Sequence, residues 1–172
     1  MLQGERIALR QMRSADSEIL LQWENDPNNW HLSQTTRAYS KADIDQFITN
    51  TKDIYLDEQL RLIIELNEEE RPIGTLDIFE CDFHNKRGGL GILIADKKDR
   101  RRGFAYESIE MVKIYARDVL KFNQLFANIL KSNEESQALF EKAGFVKCGE
   151  KKAWVKIAER YEDEWMYQLI LA

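Results

Sequence analysis

Alternating apolar and polar positions predict a series of strands along this chain. The segments that fit a strand are residues 6–10, 60–66, 72–81, 88–95, 124–130, 145–150 and 160–171. Short polar turns join the segments between residues 60 and 95, which predicts an antiparallel meander there.

Apolar positions at helical spacing predict helices between these strands. The expected helices cover residues 14–24, 41–55, 105–121 and 133–143. Ser14 and Ser40 are the expected N-caps of the first two, and Gly144 suits the left-handed residue after the last. The helix at 105–121 connects two strands as a crossover, which makes those strands parallel. The sequence therefore predicts an α+β fold in one domain of residues 1–172, with a mostly antiparallel sheet whose fourth and fifth strands are the parallel pair.

Composition is that of an ordinary globular protein, with 44% apolar and 32% charged residues. No apolar run approaches the roughly 20 residues of a membrane span, and the N-terminus lacks a secretory signal, so we expect a cytoplasmic protein with no membrane contact. Cys81, Cys148, His31 and His84 have no metal-ligand spacing, so no metal site is expected. The net charge of −5 argues against a nucleic-acid partner.

The most informative segment is the basic stretch from Lys97 to Ala105, which lies between a predicted strand and a predicted helix. A helix N-terminus offers unpaired backbone N–H groups and positive dipole potential, and Gly103 lets an anion approach the backbone. The arginines add fork-shaped donors. The segment therefore predicts a phosphate site, and the alternative is a solvated charged turn.

Two motifs resemble those of the GCN5-related N-acetyltransferase (GNAT) superfamily. One is Arg100-x-x-Gly103-x-Ala105, and the other runs from Asn133-x-x-Ser136 to Phe140-Glu141-Lys142-Ala143-Gly144-Phe145. They stand about 30 residues apart on a strand–helix–strand–helix frame, and the resemblance covers nearly the whole chain. It implies the GNAT fold, in which the fourth and fifth strands splay apart. The chain ends look most like the branch that holds ribosomal-protein N-terminal and spermidine/diamine N-acetyltransferases.

The resemblance implies an enzyme that moves acetyl from acetyl-CoA to a primary amine. In the family the first motif holds the diphosphate, the preceding strand bonds the pantetheine arm, and the second motif lies beside that arm. Asn133 also suits a helix cap. The cofactor-binding residues implied for this chain are Ile92, Leu93, Ile94, Arg100, Arg101, Arg102, Gly103, Phe104, Ala105, Tyr106, Asn133, Ser136 and Phe140.

Phe140 departs from the family pattern, because many relatives carry a tyrosine there that protonates the departing thiolate. Phenylalanine has no proton to give. Three alternatives follow: the thiolate leaves unaided, Tyr106 or Tyr167 substitutes, or the chain is a non-catalytic acetyl-CoA-binding module.

The general base is also missing from its usual place, because the position of the glutamate found on the fourth strand of polyamine enzymes is Gly89 here. Asp77, Glu80, Asp82 and His84 are nearby candidates, although each also suits a solvated side chain, and a water chain could serve instead. No catalytic residue is assigned from the sequence.

Acetyl transfer is expected to be direct, through a ternary complex, because neither cysteine falls in a nucleophile motif. The expected partner is a small-molecule or peptide amine: a polyamine such as spermidine or a protein N-terminal amine, with an antibiotic or amino-sugar amine as the alternative. A homo-oligomer is compatible with the sequence. The aromatic segment expected to form the acceptor wall contains Trp30, His31, Tyr39 and Tyr55.

Overall fold

The computed structural model describes residues 2–27, 37–50 and 53–171. Its strands are β1 Leu2–Gln3, β2 Ile7–Gln11, β3 Leu60–Leu66, β4 Arg71–Asp82, β5 Arg87–Ile94, β6 Gln124–Leu130, β7 Val146–Ile157 and β8 Arg160–Ile170. Within the described residues these strands form one sheet in the order β1-β2-β3-β4-β5-β6-β8-β7. Neighbours are antiparallel except β5 and β6, which are parallel.

The helices are α1 Ser17–Glu24, α2 Lys41–Asn50, α3 Ile54–Asp57, α4 Phe104–Asp118 and α5 Glu134–Lys142. This arrangement confirms the α+β fold with one parallel pair. That pair is β5 and β6, rather than the fourth and fifth strands, because Leu2–Gln3 adds a short strand before the first one predicted. No helix in the described ranges is long and apolar enough to cross a membrane.

Three helix boundaries differ from the prediction by three residues or more, and one of them is the end of α4, which lies at Asp118 rather than at residue 121. Ser14 is not the cap of α1, because residues 14–16 form a 3-10 turn and α1 begins at Ser17. The expected helix over 41–55 ends at Asn50, and the short α3 follows it from Ile54. The Ser40 cap is confirmed: its hydroxyl accepts from the Asp43 amide, and the Asp43 carboxylate accepts from the Ser40 amide.

Different helices cover the two faces of the sheet. On one face Val112 of α4 and Phe140 of α5 belong to the larger hydrophobic core, which also contains Leu76 of β4. On the other face Leu20 of α1 and Ile48 of α2 belong to a smaller core with residues of β3. We refer to these as the α4/α5 face and the α1/α2 face.

The parallel strands β5 and β6 pair over a short stretch and then diverge. Their last pair is Gly89 with Phe126, and beyond it β5 runs to Ile94 and β6 to Leu130 without further pairing. The predicted splay is therefore present, and it leaves a gap through the sheet.

A β-bulge lies on β4, opposite the residues of β5 that still pair with β6. The register between β4 and β5 shifts between Phe79 and Asp82, and Glu80 has a φ of 48°. Gly89 instead provides space, because a Cβ there would lie 2.4 Å from the Phe79 ring. A carboxylate side chain at position 89 would therefore have to displace the Phe79 ring.

Candidate functional site

A cleft of about 510 Å³ opens on the α4/α5 face, between the end of β5 and the first turns of α4 and α5. We call it the loop cleft, because the loop from Asp99 to Gly103 forms one wall. The predicted cofactor residues that line it are Ile92, Leu93, Ile94, Arg100, Arg101, Gly103, Phe104, Ala105, Tyr106, Asn133 and Ser136. Two predicted residues do not line it: Arg102 and Phe140.

The loop cleft presents backbone N–H groups to an anion. Gly103 is the N-cap of α4 with a φ of 87°, and no side chain caps this helix. The helix's first intrahelical bond runs from the Glu107 amide to the Gly103 carbonyl, so the amides of Phe104, Ala105 and Tyr106 have no intrahelical acceptor. A Cβ at Gly103 would lie 3.2 Å from the Arg6 guanidinium. The loop therefore presents backbone N–H groups at the positive end of α4, where they can bind an anion.

The three consecutive arginines take different positions. Arg100 donates to the carbonyls of Ile94 and Ala95, at 2.9 Å each, and so fastens the loop to the end of β5. Arg102 lies outside the cleft wall, where its guanidinium stands 5.0 Å from the centre of the Phe104 ring. Arg101 is the most exposed of the three and forms an ion pair with Glu135 on the opposite wall.

An ion pair between Asp99 and Arg71 holds this loop in place. Its side chain is 1% exposed and accepts two hydrogen bonds from Arg71, at 2.8 and 3.0 Å. These bonds outweigh burial and lower the pKa of Asp99, so the carboxylate stays charged. No sequence pattern marks this contact, because Arg71 lies on β4, 28 residues from Asp99 along the chain.

The gap between β5 and β6 holds a smaller space of about 90 Å³, which we call the gap cavity. It shares the lining residues Ile92, Asn133 and Ser136 with the loop cleft, so the two spaces adjoin each other. Phe140 lines it, is buried, and packs edge-on against Phe145 at 5.0 Å. Asn133 caps α5 through its side-chain oxygen, which accepts from the Ser136 amide at 3.1 Å. The expected cap role of Asn133 is therefore confirmed, and Asn133 also lines the gap cavity.

A third cleft of about 790 Å³ lies on the α1/α2 face, and we call it the acidic cleft. Phe126 and Asn128 line it, and on β6 they alternate with Leu125 and Ala127, which face the larger core. Asn128 also lines the gap cavity. The three spaces therefore follow one another through the sheet. The carboxylates of the acidic cleft are Glu58, Glu80 and Asp82.

Comparison with known proteins identifies the family. Residues 6–146 match the profile described as the acetyltransferase (GNAT) domain. The chain belongs to the GNAT acetyltransferase family. It is 26% identical to the uncharacterized N-acetyltransferase p20 of Bacillus licheniformis over 98% of this chain and 95% of that protein. It is 27% identical to the probable N-acetyltransferase YjcK of Bacillus subtilis over 95% of this chain and 93% of that protein.

Solved structures agree on the fold. The spermidine N-acetyltransferase of Vibrio cholerae, in complex with CoA and spermine, superimposes with a TM-score of 0.89 at 18% identity, covering 98% of this chain and 97% of that one. A GNAT-family acetyltransferase of Bacillus anthracis gives 0.82 at 18% identity, covering 98% and 97%. This GNAT protein is thus an acyl-CoA-dependent N-acetyltransferase, and acetyl-CoA is the acyl donor of its family.

The candidate bases of this acetyltransferase lie in different places. Glu80, Asp82 and His84 line the acidic cleft, whereas Asp77 is bound to Arg61 at 2.6 Å and does not line it. Hydrogen bonds from the Asn85 side chain and amide lower the pKa of Asp82, which makes this carboxylate a weaker proton acceptor.

The two tyrosines considered as substitutes for an acid at position 140 also differ. Tyr167 is fully buried and donates to Glu141 Oε1 at 3.1 Å, and it lines none of the three spaces. Burial and Glu141 raise its pKa. Tyr106 lines the loop cleft, where Lys142 Nζ stands 4.6 Å from its ring centre.

Of the aromatic residues expected to form the acceptor wall, Trp30 and His31 lie outside the described residues. Tyr39 packs against the smaller core rather than into the acidic cleft. Tyr55 is exposed and stacks on Phe83, which lines that cleft, with ring centres 4.8 Å apart.

Sequence reasoning missed a buried polar cluster at the gap. Glu164 of β8 is 2% exposed and lines the gap cavity. Its Oε1 accepts from Lys151 Nζ at 2.9 Å, and the same Nζ donates to Asn128 Oδ1 at 3.0 Å. No short motif marks these residues, because they come from three strands that the fold brings side by side.

Proposed function

We propose that this protein transfers acetyl directly from acetyl-CoA to a primary amine, with the two substrates meeting at the gap between β5 and β6. The observation that carries the proposal is that the three spaces adjoin one another from one face of the sheet to the other. The loop cleft and the gap cavity share three lining residues, and the gap cavity and the acidic cleft share Asn128. Acetyl-CoA supplies an activated thioester carbonyl. The protein's part is to hold that carbonyl and the amine together and to exclude other geometries.

The loop cleft is the proposed acetyl-CoA site. The amides of residues 101–106 and the exposed Arg101 would bind the diphosphate at the positive end of α4. The edge of β5 that faces the gap, at Ile92, Leu93 and Ile94, would bond the pantetheine arm as an added strand. This edge is available because β6 has already diverged.

The walls of the gap cavity would surround the thioester. Asn133 and Ser136 stand where this cavity joins the loop cleft, and Phe140 closes its apolar side. Phe140 packs against Phe145 and so keeps water from the thiol end. The departing thiolate leaves without a tyrosine at position 140, which is tolerable for a thiol with a pKa of about 8.5.

Charge in the acidic cleft favours a cationic acceptor. Arg87 offsets Asp82 at 3.2 Å, and Lys151 pairs with the buried Glu164, so Glu58 and Glu80 determine the net charge of the cleft. A negative cleft concentrates ammonium groups. We therefore favour a polyamine such as spermidine over a protein N-terminal amine. The spermine found with the Vibrio cholerae enzyme supports this choice.

An amine panel tests the function. Coenzyme A release, followed with a thiol reagent, is expected with acetyl-CoA and spermidine or spermine, slower with N-terminal peptides, aminoglycosides and amino sugars, and at background without an amine. Acetyl-CoA binding without release for any amine would instead indicate a non-catalytic binding module.

If acetyl transfer is direct, neither cysteine is needed for catalysis. Cys81 lines the acidic cleft, but burial and the nearby Glu58 raise the pKa of its thiol to about 11, so little thiolate forms near neutrality. Cys81→Ala combined with Cys148→Ala should keep kcat within about threefold of the parent, because removing Cys81 only alters packing at the cleft wall. Steady-state kinetics with spermidine measures this. A loss of several hundredfold in a folded variant would favour an acyl-enzyme route.

A further inference from the structure

The gap cavity contains one buried carboxylate among the described residues that line it, that of Glu164. The amine must lose a proton when it attacks, and the sequence offers no acceptor for that proton at position 89. We propose that Glu164 is a catalytic residue that accepts the proton of the acceptor amine. This inference rests on the proposed function, because it needs the amine to arrive from the acidic cleft.

Strand register places Glu164 on the side from which the amine arrives. Glu164 pairs with Leu130 of β6, and two residues further along β8 Met166 pairs with Asn128. Side chains two apart on a strand share a face, and Asn128 and Met166 both line the acidic cleft. Phe140 stands on the opposite, α4/α5 face. The carboxylate is therefore on the amine side of the gap, and the thiol end of acetyl-CoA is on the other.

The oxygens at this point already bind an alkylammonium. Lys151 Nζ lies 2.9 Å from Glu164 Oε1 and 3.0 Å from Asn128 Oδ1, and it stands 5.3 Å from the ring centre of Trp154. A primary ammonium group of a substrate has the same chemistry as this side chain. Oxygen ligands at the place where the acidic cleft meets the gap thus suit a primary ammonium, and the acceptor's nitrogen would approach the Glu164 carboxylate beside Lys151.

Other charged groups around Glu164 do not compete for this role. Lys151 faces it from β7 and holds the carboxylate in one orientation. Across the acidic cleft stand Glu80, Asp82, His84 and Arg87, which line that cleft but not the gap cavity. From α5, Asn133 and Ser136 face the gap and carry no charge.

The proton balance is straightforward. The acceptor's ammonium first loses one proton to water, which leaves a neutral amine. The lone pair of that amine forms a bond to the thioester carbonyl carbon, and a second proton of the nitrogen passes to the Glu164 carboxylate. As that bond forms the nitrogen becomes a far stronger acid, so a carboxylate suffices as acceptor. The carbon–sulphur bond breaks with its electron pair on sulphur, and the thiolate takes a proton from Glu164 or from water. Amide and free thiol are the products.

Glu164→Gln is the primary test, since glutamine can still accept from Lys151 and should preserve the fold. With spermidine we expect kcat to fall by about 10²–10⁴-fold while acetyl-CoA affinity stays unchanged. The matched control is Glu150→Gln, which removes the charge of another ion-paired glutamate, on the neighbouring strand, outside the three spaces. Its kcat should equal that of the parent.

A second acceptor distinguishes a catalytic role of Glu164 from a purely structural one. An aminooxy analogue of the same alkyl chain has a nitrogen that is uncharged at neutral pH and needs less help to lose its proton. The loss in Glu164→Gln should be at least about tenfold smaller with this analogue than with the alkylamine. Equal losses with both acceptors, or no loss with either, would overturn the assignment and leave Glu164 a structural residue.

Glu164→Asp covers the case in which the glutamine variant does not fold. It keeps the carboxylate but moves it away from the gap by one methylene, so the same dependence on acceptor basicity is expected at smaller amplitude. An aspartate variant that slows both acceptors alike would contradict the proposal. A parent protein that acetylates no amine would refute the proposed function itself, whereas an active parent with an unaffected Glu164→Gln variant refutes only this inference.

Discussion

Gly103→Glu should weaken acetyl-CoA binding by more than about a hundredfold. The new carboxylate would stand among the first-turn amides of α4, and a Cβ at this position already meets the Arg6 guanidinium at 3.2 Å. Like charges about 5 Å apart at an effective dielectric constant of about 20 repel by roughly 3 kcal/mol. Since about 1.4 kcal/mol corresponds to a tenfold change in affinity, one such repulsion exceeds a hundredfold. Isothermal titration calorimetry measures the change.

Gly144→Glu provides the matched control. Gly144 also has a positive φ, of 93°, and follows α5 at a point outside the three spaces. The substitution therefore introduces the same charge and a similar backbone strain, and it should lower the melting temperature without changing acetyl-CoA affinity. If the two variants bind acetyl-CoA equally well, the loop at Gly103 does not hold the diphosphate.

Arg10→Met should lower the free energy of unfolding by about 3–5 kcal/mol, because it leaves buried carboxylates without their cation. Arg10 is 4% exposed and donates two hydrogen bonds to Asp16, at 2.8 Å each. It also pairs with Glu65, so it ties β2 to β3 and to the start of α1. Urea denaturation measures the loss. The control is Arg117→Met, which removes an exposed pair with Asp118 and should cost less than about 1 kcal/mol.

The Arg10–Asp16 pair also determines part of the loss of folding stability at low pH. Burial alone would raise the pKa of Asp16, but hydrogen bonds from Arg10 and from the Arg13 amide outweigh it, and the pKa is lowered from its ordinary 3.8. This stabilisation is present above that ordinary value and is lost as the pH falls through the lower folded value. Without Arg10, burial dominates, so the variant should lose stability at a higher pH than the parent. Coincident acid transitions of the two proteins would contradict this reading of the pair.

The loop cleft shows how much of the site can be predicted from a short stretch of sequence. The Lys97–Ala105 segment, with a strand before it and a helix after it, predicts a phosphate site at the N-terminus of α4, and the structure has a cleft there. Which arginine projects there was not predictable. Arg100 instead donates hydrogen bonds to the carbonyls of Ile94 and Ala95, at the end of β5.

The sequence by itself determined the order of the main strands and helices, apart from the short β1 and the separate α3, together with the crossover between β5 and β6 and the two motifs. Each of these depends on residues a few positions apart. Strand alternation and helix caps act over such distances, and so does the left-handed glycine before α4. What only the tertiary structure decided are contacts between distant segments: Phe79 in the space above Gly89, Asp99 beneath the loop, and the Lys151–Glu164 pair at the gap. Their partners lie on different strands, and only the strand register of the folded sheet brings them together.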